Sequence, residues 1–218
     1  AESPDEVALV LAGSQYGKEL LVRRDASETT VRGLGRLPSG KVTSTSSGVE
    51  TKFSILAINE FDSTRKRMSV LVRKQEPNAP PVLYCKGADT SMMPYCIDTP
   101  EASTSVCLQH IEDFAVTGLR TLVMGRKVLT EDEAAKWLSQ HKAASNNIGQ
   151  RSEMLYQCAL DIEKDMQLLG AVGIEDELQD GVSDAIQMLQ RAGLNVWMIT
   201  GDKPETAIAI SQMCSLLR

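Results

Sequence analysis

The sequence predicts an α+β fold: an antiparallel sheet with packed helices, followed by the beginning of a smaller α/β unit built on parallel strands. Three observations lead there. The runs 52–61, 67–73 and 81–85 alternate apolar and polar residues, and Pro77, Asn78, Pro80 and Pro81 mark the turn between the second and third, so an antiparallel meander is expected. Helical spacing of apolar residues follows over 101–117. From 168 onward the order becomes apolar run, helix, apolar run, helix (168–174, 181–192, 194–199, 204–213), the β-α-β-α order of a parallel sheet covered by helices.

The remaining elements follow in chain order. Ser3-Pro4-Asp5-Glu6 is a capping box with proline in the first helical turn: the Ser3 hydroxyl can accept from the Glu6 amide while the Glu6 carboxylate reaches back, so a helix should begin at Pro4. Gly13 or Gly17 can end it. Short strands are expected over 19–23 and 29–32, and the Gly- and Ser-rich stretch 33–48 reads as a loop. After 101–117 come a strand over 119–128, a second capping box at 130–133 opening a helix through Trp137, and a further helix over 151–164. The antiparallel unit should occupy 1–170 and the parallel unit 171–218, with the boundary between 170 and 176.

Composition narrows the function classes. The 218 residues carry 23 Lys and Arg against 29 Asp and Glu, a net charge of −6, which does not favour a nucleic-acid-binding surface. With 42% hydrophobic and 24% charged residues, neither disorder nor a collagen-like repeat fits. The five cysteines are odd in number and form no CxxC pair, which suits a reducing environment. His110 and His141 lack partner ligands at metal-binding spacing, so no metal site is expected. The longest apolar stretches fall far short of the roughly 20 residues that cross a bilayer. There is no initiator Met, and 208–218 reads as a helix cut off in mid-course, so a piece of a longer protein is expected.

Thr200-Gly201-Asp202-Lys203-Pro204 follows an apolar run and opens a helix, which is where an open parallel sheet presents a ligand. The Thr200 hydroxyl and the free amides at the helix start suit a phosphoryl oxygen, and Gly201 permits close backbone approach. The same five residues also make an ordinary helix cap, with Asp202 as the capping residue.

Six segments together are more specific. Glu2-Ser3-Pro4-Asp5-Glu6, the run Phe61-Asp62-Ser63-Thr64-Arg65-Lys66-Arg67-Met68-Ser69, Lys86-Gly87-Ala88-Asp89, Gly118-Leu119-Arg120-Thr121-Leu122, Asp176-Glu177-Leu178-Gln179-Asp180-Gly181-Val182 and Thr200-Gly201-Asp202-Lys203-Pro204-Glu205-Thr206-Ala207 are spread over almost the whole chain. In order and separation they resemble the P-type ATPases. The Ser-Pro-Asp-Glu opening and the Arg-Lys-Arg-Met-Ser run are similar to the phospholipid-flippase branch. Departures are mild: that family often has glutamine where Pro204 stands.

The resemblance implies a nucleotide-binding domain lacking its first strands, then the start of a haloacid-dehalogenase-like phosphorylation domain. It implies ATP and Mg²⁺ as cofactors, with the main Mg²⁺ ligands outside this chain. Phe61 would lie against adenine, where an aromatic ring gives a flat purine a stacking platform. Glu6 would accept from the exocyclic amine, a role that competes with its helix cap. Lys86 would sit near the bottom of the pocket and offset nucleotide charge; a surface lysine at a turn is its plain reading. Arg120 would contact the ribose or phosphate end, or else start a strand in solvent. Asp176 would hold ribose or phosphate at the inter-domain hinge, or cap a strand. Thr200, Gly201 and Asp202 would meet the phosphoryl end, with Thr200 touching the transferring group. Arg65, Lys66 and Arg67 read as a solvated or inter-domain face.

The nucleophilic aspartate of the family is not in this chain, since no Asp-Lys-Thr-Gly occurs. The fragment is therefore expected to hold nucleotide without turning it over. The full-length protein would be an integral membrane pump moving phospholipid, with this portion on the cytoplasmic side, a possible accessory subunit and no nucleic-acid partner. The alternatives are a cation-transporting member, a free-standing ATP-binding or regulatory module, and a soluble haloacid-dehalogenase-like phosphatase. The last needs an Asp-x-Asp strand, which is not seen.

Overall fold

The alternating runs pair as a meander: β5 (Glu50–Asp62), β6 (Arg67–Lys74) and β7 (Pro81–Gly87) are antiparallel neighbours, with Ala57 opposite Leu71 and Leu71 opposite Leu83. The computed structural model describes residues 4–15, 18–23, 27–33, 35–36, 42–43, 50–100, 102–175, 178–201 and 203–217. Within them the meander is extended by β1 (Lys18–Arg23), β2 (Glu28–Gly33), β8 (Cys96–Ile97), β9 (Arg120–Val128) and β10 (Met166–Ile174). The resulting eight-stranded sheet has the order β1-β2-β5-β6-β7-β9-β10-β8. A separate two-stranded piece, β3 (Gly35–Arg36) and β4 (Val42–Thr43), lies in the stretch expected to be loop.

α1 (Pro4–Gln15) and α2 (Asp89–Met92) precede α3 (Thr104–Val116), α4 (Glu131–Asn146) and α5 (Arg151–Ile162). Helices α2 to α5 pack on the sheet face that carries Leu71, Leu83 and Cys85, while α1 reaches Lys86 on the other. The capping box before α4 is complete, with Thr130 Oγ1 accepting from the Glu133 amide and the Glu133 carboxylate accepting from the Thr130 amide. The partner of the first capping box, Ser3, lies outside the described residues. Val123, Met166 and Leu168 on the strands pack with Met92, Cys107 and Ile111 in one core cluster. Leu71, Leu83 and Leu129 pack with Ala134, Trp137 and Ile162 in a second. Leu71 and Leu83 are fully enclosed, which contributes about 1.5–3 kcal/mol each.

The C-terminal part departs from expectation. The apolar run at 168–174 does form a strand, but β10 pairs antiparallel with β9 from Gln167 to Ile174 and joins the first sheet. It meets β8 in parallel only at Met166 and Gln167. The run 194–199 forms no strand: it pairs with nothing in a sheet, and Trp197 and Ile199 are 84% and 96% exposed. A strand exists only where a neighbour takes its hydrogen bonds, and none of the described strands lies beside it. α6 (Val182–Arg191) and α7 (Pro204–Met213) form where helical spacing predicts, but no parallel sheet joins them among the described residues.

All five cysteines are free thiols. Burial pushes the Cys85 thiol up, and the nearby Glu163 carboxylate adds to the effect. Burial, then the neighbouring Cys107, pushes Cys96 up to about 11. An acid that holds its proton longer folded than unfolded makes the unfolded chain lose protons first as pH rises. The stabilisation is therefore full below the unfolded thiol value of about 8.5 and falls as pH climbs toward 11. The urea midpoint should drop between about pH 8 and pH 10, and Cys96→Ala should flatten that slope; an equal slope in the variant would contradict the assignment.

Candidate functional site

Phe61 stands where β5 reaches its turn into β6. The ladder is regular through Asn59 opposite Ser69, then slips, and resumes at Asp62 opposite Arg67. Glu60 and Phe61 therefore share the place opposite Met68, a bulge of the kind that re-aims a side chain. The Phe61 ring is 64% exposed, so it is not an ordinary core phenylalanine. Met68 in turn is opposite Lys86 on β7, and Lys86 is opposite Met124 on β9. Residues paired across a sheet share a face, so Met68, Lys86 and Met124 line the face away from Ser69, Cys85 and Leu71. From β5 to β7 is two strand spacings, about 10 Å, a span that suits a flat bicyclic base.

The charged members gather over the same strands. Lys86 Nζ is 3.6 Å from Glu6 Oε1, and Arg120 Nη1 is 3.9 Å from Asp5 Oδ1. Both separations are long, and all four side chains are a quarter to two-fifths exposed, so each pair is worth about 0–1 kcal/mol. Arg120 lies on β9 two alternations before Met124, hence on the same face as Lys86. The start of α1 thus brings Glu6 beside Lys86, with Phe61 one strand beyond Met68.

Gly87 shows why the turn and the lysine strand move together. A Cβ there would come within 2.7 Å of the Lys66 carbonyl oxygen and 2.8 Å of Arg67 Cα. Only glycine lets β7 lie this close to residues 66–67, and the Ala88 amide then donates to the Lys66 carbonyl at 3.0 Å. Lys66 itself is exposed and left-handed, with φ of 49°.

Arg65 and Arg67 correct the expectation of a solvated face. They are 5% and 3% exposed and close on Glu163, whose side chain is wholly buried just beyond α5. Arg65 Nη1 donates to Glu163 Oε1 at 2.5 Å, Arg67 Nε to Oε2 at 2.7 Å, and the Ser69 hydroxyl to Oε1 at 2.7 Å. The Arg67 guanidinium also lies 4.3 Å over the Tyr95 ring. Sequence reasoning missed Glu163, for which nothing local gives a signal, and Met68, whose place opposite Lys86 is a matter of strand register.

The second loop is less joined to the first. Thr200 and Gly201 are exposed; Thr200 lines an open depression of about 410 Å³ with Trp197, Met198, Ile208 and Ser211. Neither Phe61 nor Lys86 borders that depression. An ion pair, Lys203 to Asp89, ties the start of α7 to the residue two after Gly87. Asp176 and Asp202 lie outside the described residues. Among the described residues no group of three His, Cys, Asp or Glu could hold a metal, and no helix is long and apolar enough to cross a membrane.

Residues 1–181 match the family model described as P-type ATPase, cytoplasmic domain N. The chain belongs to this family. Over its full length this P-type ATPase N-domain chain is 40% identical to phospholipid-transporting ATPase DRS2 of Saccharomyces cerevisiae. It is likewise 40% identical to phospholipid-transporting ATPase VD of Homo sapiens, and 38% identical to phospholipid-transporting ATPase 6 of Arabidopsis thaliana. It spans 15%, 15% and 17% of the length of those relatives.

Proposed function

We propose that this chain is the ATP-holding cytoplasmic part of a phospholipid-translocating P-type ATPase. The carrying observation is the exposed Phe61 ring on a bulge, in register with Met68 and Lys86 and with Glu6 alongside, in a chain of the N-domain family. Purine stacks on Phe61, Glu6 accepts from its amine, and Lys86 and Arg120 neutralise the anionic tail. Supporting phospholipid as the cargo, over a cation, are relatives at 38–40% identity that carry phospholipid-transporting names.

In this reading residues up to the end of β10 form the nucleotide-binding domain, and the remainder begins the phosphorylation domain. The pairing of β10 with β9 as far as Ile174 supports setting the division there, inside the 170–176 window. Thr200 and Gly201 meet the phosphoryl end, joined by Asp202 and, at the hinge, Asp176. The aspartate that takes the phosphoryl group belongs to another part of the full-length pump. Magnesium would come with the nucleotide, with its chief ligands on the part of the pump that carries the phosphorylated aspartate. The cargo, the membrane spans and any accessory subunit likewise belong to the longer protein.

Titration calorimetry tests the base platform. Phe61→Ala should weaken ATP binding by about 1–3 kcal/mol while leaving stability within about 0.5 kcal/mol, because the ring is exposed. Unchanged affinity in the folded variant would remove Phe61 from the site.

A further inference from the structure

The turn that carries Phe61 is tied to a carboxylate about a hundred residues away in sequence. Glu163 touches no surface, and both of its oxygens are engaged by Arg65, Arg67 and Ser69. Arg65 has a second bond: its Nη2 donates at 2.7 Å to the backbone carbonyl of Glu60, the residue directly before Phe61. One guanidinium thus joins the buried anion to the bulge that aims the ring.

The backbone of the same turn is fixed as well. The Asp62 carboxylate accepts from the amides of Thr64 and Arg65 at 3.0 and 2.9 Å, and the Ser91 hydroxyl donates to the Arg65 carbonyl at 2.8 Å. Arg67 Nη1 donates to the Ser91 carbonyl at 2.9 Å, and Ser69 accepts from Asn59 at 2.9 Å. The cluster is nevertheless imperfect: Arg65 Nε and Arg67 Nη2 are buried and lack an acceptor among the described residues. Buried ion pairs are often no more stabilising than apolar residues of the same volume. An arrangement that leaves two donors unpaired is better explained by the geometry it imposes than by the stability it adds.

We propose that Glu163 is a positioning residue of the nucleotide site, setting the direction of the Phe61 ring by way of Arg65 and the Glu60 carbonyl. The inference rests on the reading of Phe61 as the base platform. Glu163 touches no ligand itself. It acts through a bulge, where backbone direction is least determined by the ladder, so loss of the Arg65 bridge frees the ring to swing off the sheet face.

The test is a double-mutant cycle on the 218-residue chain, with ATP affinity by calorimetry and stability by urea unfolding. Glu163→Gln and Arg65→Gln should each weaken ATP about fivefold or more when Phe61 is present, and less than about twofold in the Phe61→Ala background. Stability should fall equally in both backgrounds, which separates positioning from mere support. Should Glu163→Gln fail to fold, Arg65→Gln decides alone, since Glu163 keeps Arg67 and Ser69. A folded Arg65→Gln with wild-type affinity, or an equal loss in both backgrounds, overturns the proposal. If the folded wild-type chain takes up no ATP, the nucleotide reading falls and this inference with it; if Phe61→Ala is weakened and Arg65→Gln is not, only this inference falls.

Discussion

Glu163→Ala should destabilise the folded chain by about 3–5 kcal/mol, a large share of the roughly 5–15 kcal/mol that holds an ordinary domain together. The loss is not that of one hydrogen bond. Removing the carboxylate leaves the guanidiniums of Arg65 and Arg67, 5% and 3% exposed, facing each other across a buried hole with no counter-charge. Neither side chain can swing out to water without breaking a bond to backbone, since Arg65 holds the Glu60 carbonyl and Arg67 that of Ser91. Urea unfolding followed by far-ultraviolet circular dichroism measures the cost. A change below about 1 kcal/mol would mean that water reaches the cluster and that the pair is not enclosed.

Gly87→Ala should cost about 3 kcal/mol, the upper end of what one added methyl does in a packed interior. The methyl would meet main-chain atoms at residues 66–67, with the Lys66 oxygen at 2.7 Å, and backbone cannot rotate aside as a side chain can. The strain is relieved only if β7 and the β5–β6 turn separate, which breaks the bond from the Ala88 amide to the Lys66 carbonyl. ATP affinity should therefore fall together with stability, because Lys86 and Phe61 lie on the two pieces pushed apart. Unfolding curves and calorimetry on the same samples check both; a variant as stable as wild type would overturn the close approach of β7 to residues 66–67.

What could be read in advance follows from the range of each force. Alternation over 52–61 and 67–73, and the Thr130 capping box, are set by neighbours a few residues apart, and both β5–β6 pairing and the α4 start came out as those neighbours dictate. An apolar run at 168–174 says that a strand is buried, not what it pairs with, and β10 went to β9 instead of opening a parallel sheet. The run 194–199 shows the same limit more severely, since apolar residues without a neighbouring strand remain irregular. Arg65 and Arg67 were misread because cations are rarely enclosed, and the one residue that reverses the odds is Glu163, beyond any local window. Phe61 and Lys86 were legible as residue types; that a bulge exposes the ring, and that Met68 lies between them, needed the register.

The bond from Arg65 to Glu163 spans 98 positions of sequence. A ribosome adding about 5–20 residues per second releases the anion roughly 5–20 s after the arginine. Through that interval the meander can already zip up, yet its two arginines must remain hydrated and the tip of the hairpin unsettled. The tip that carries Phe61 is thus among the last parts of the nascent domain to mature, and a chain stalled before Glu163 emerges would carry the strands without the anion that fixes their turn.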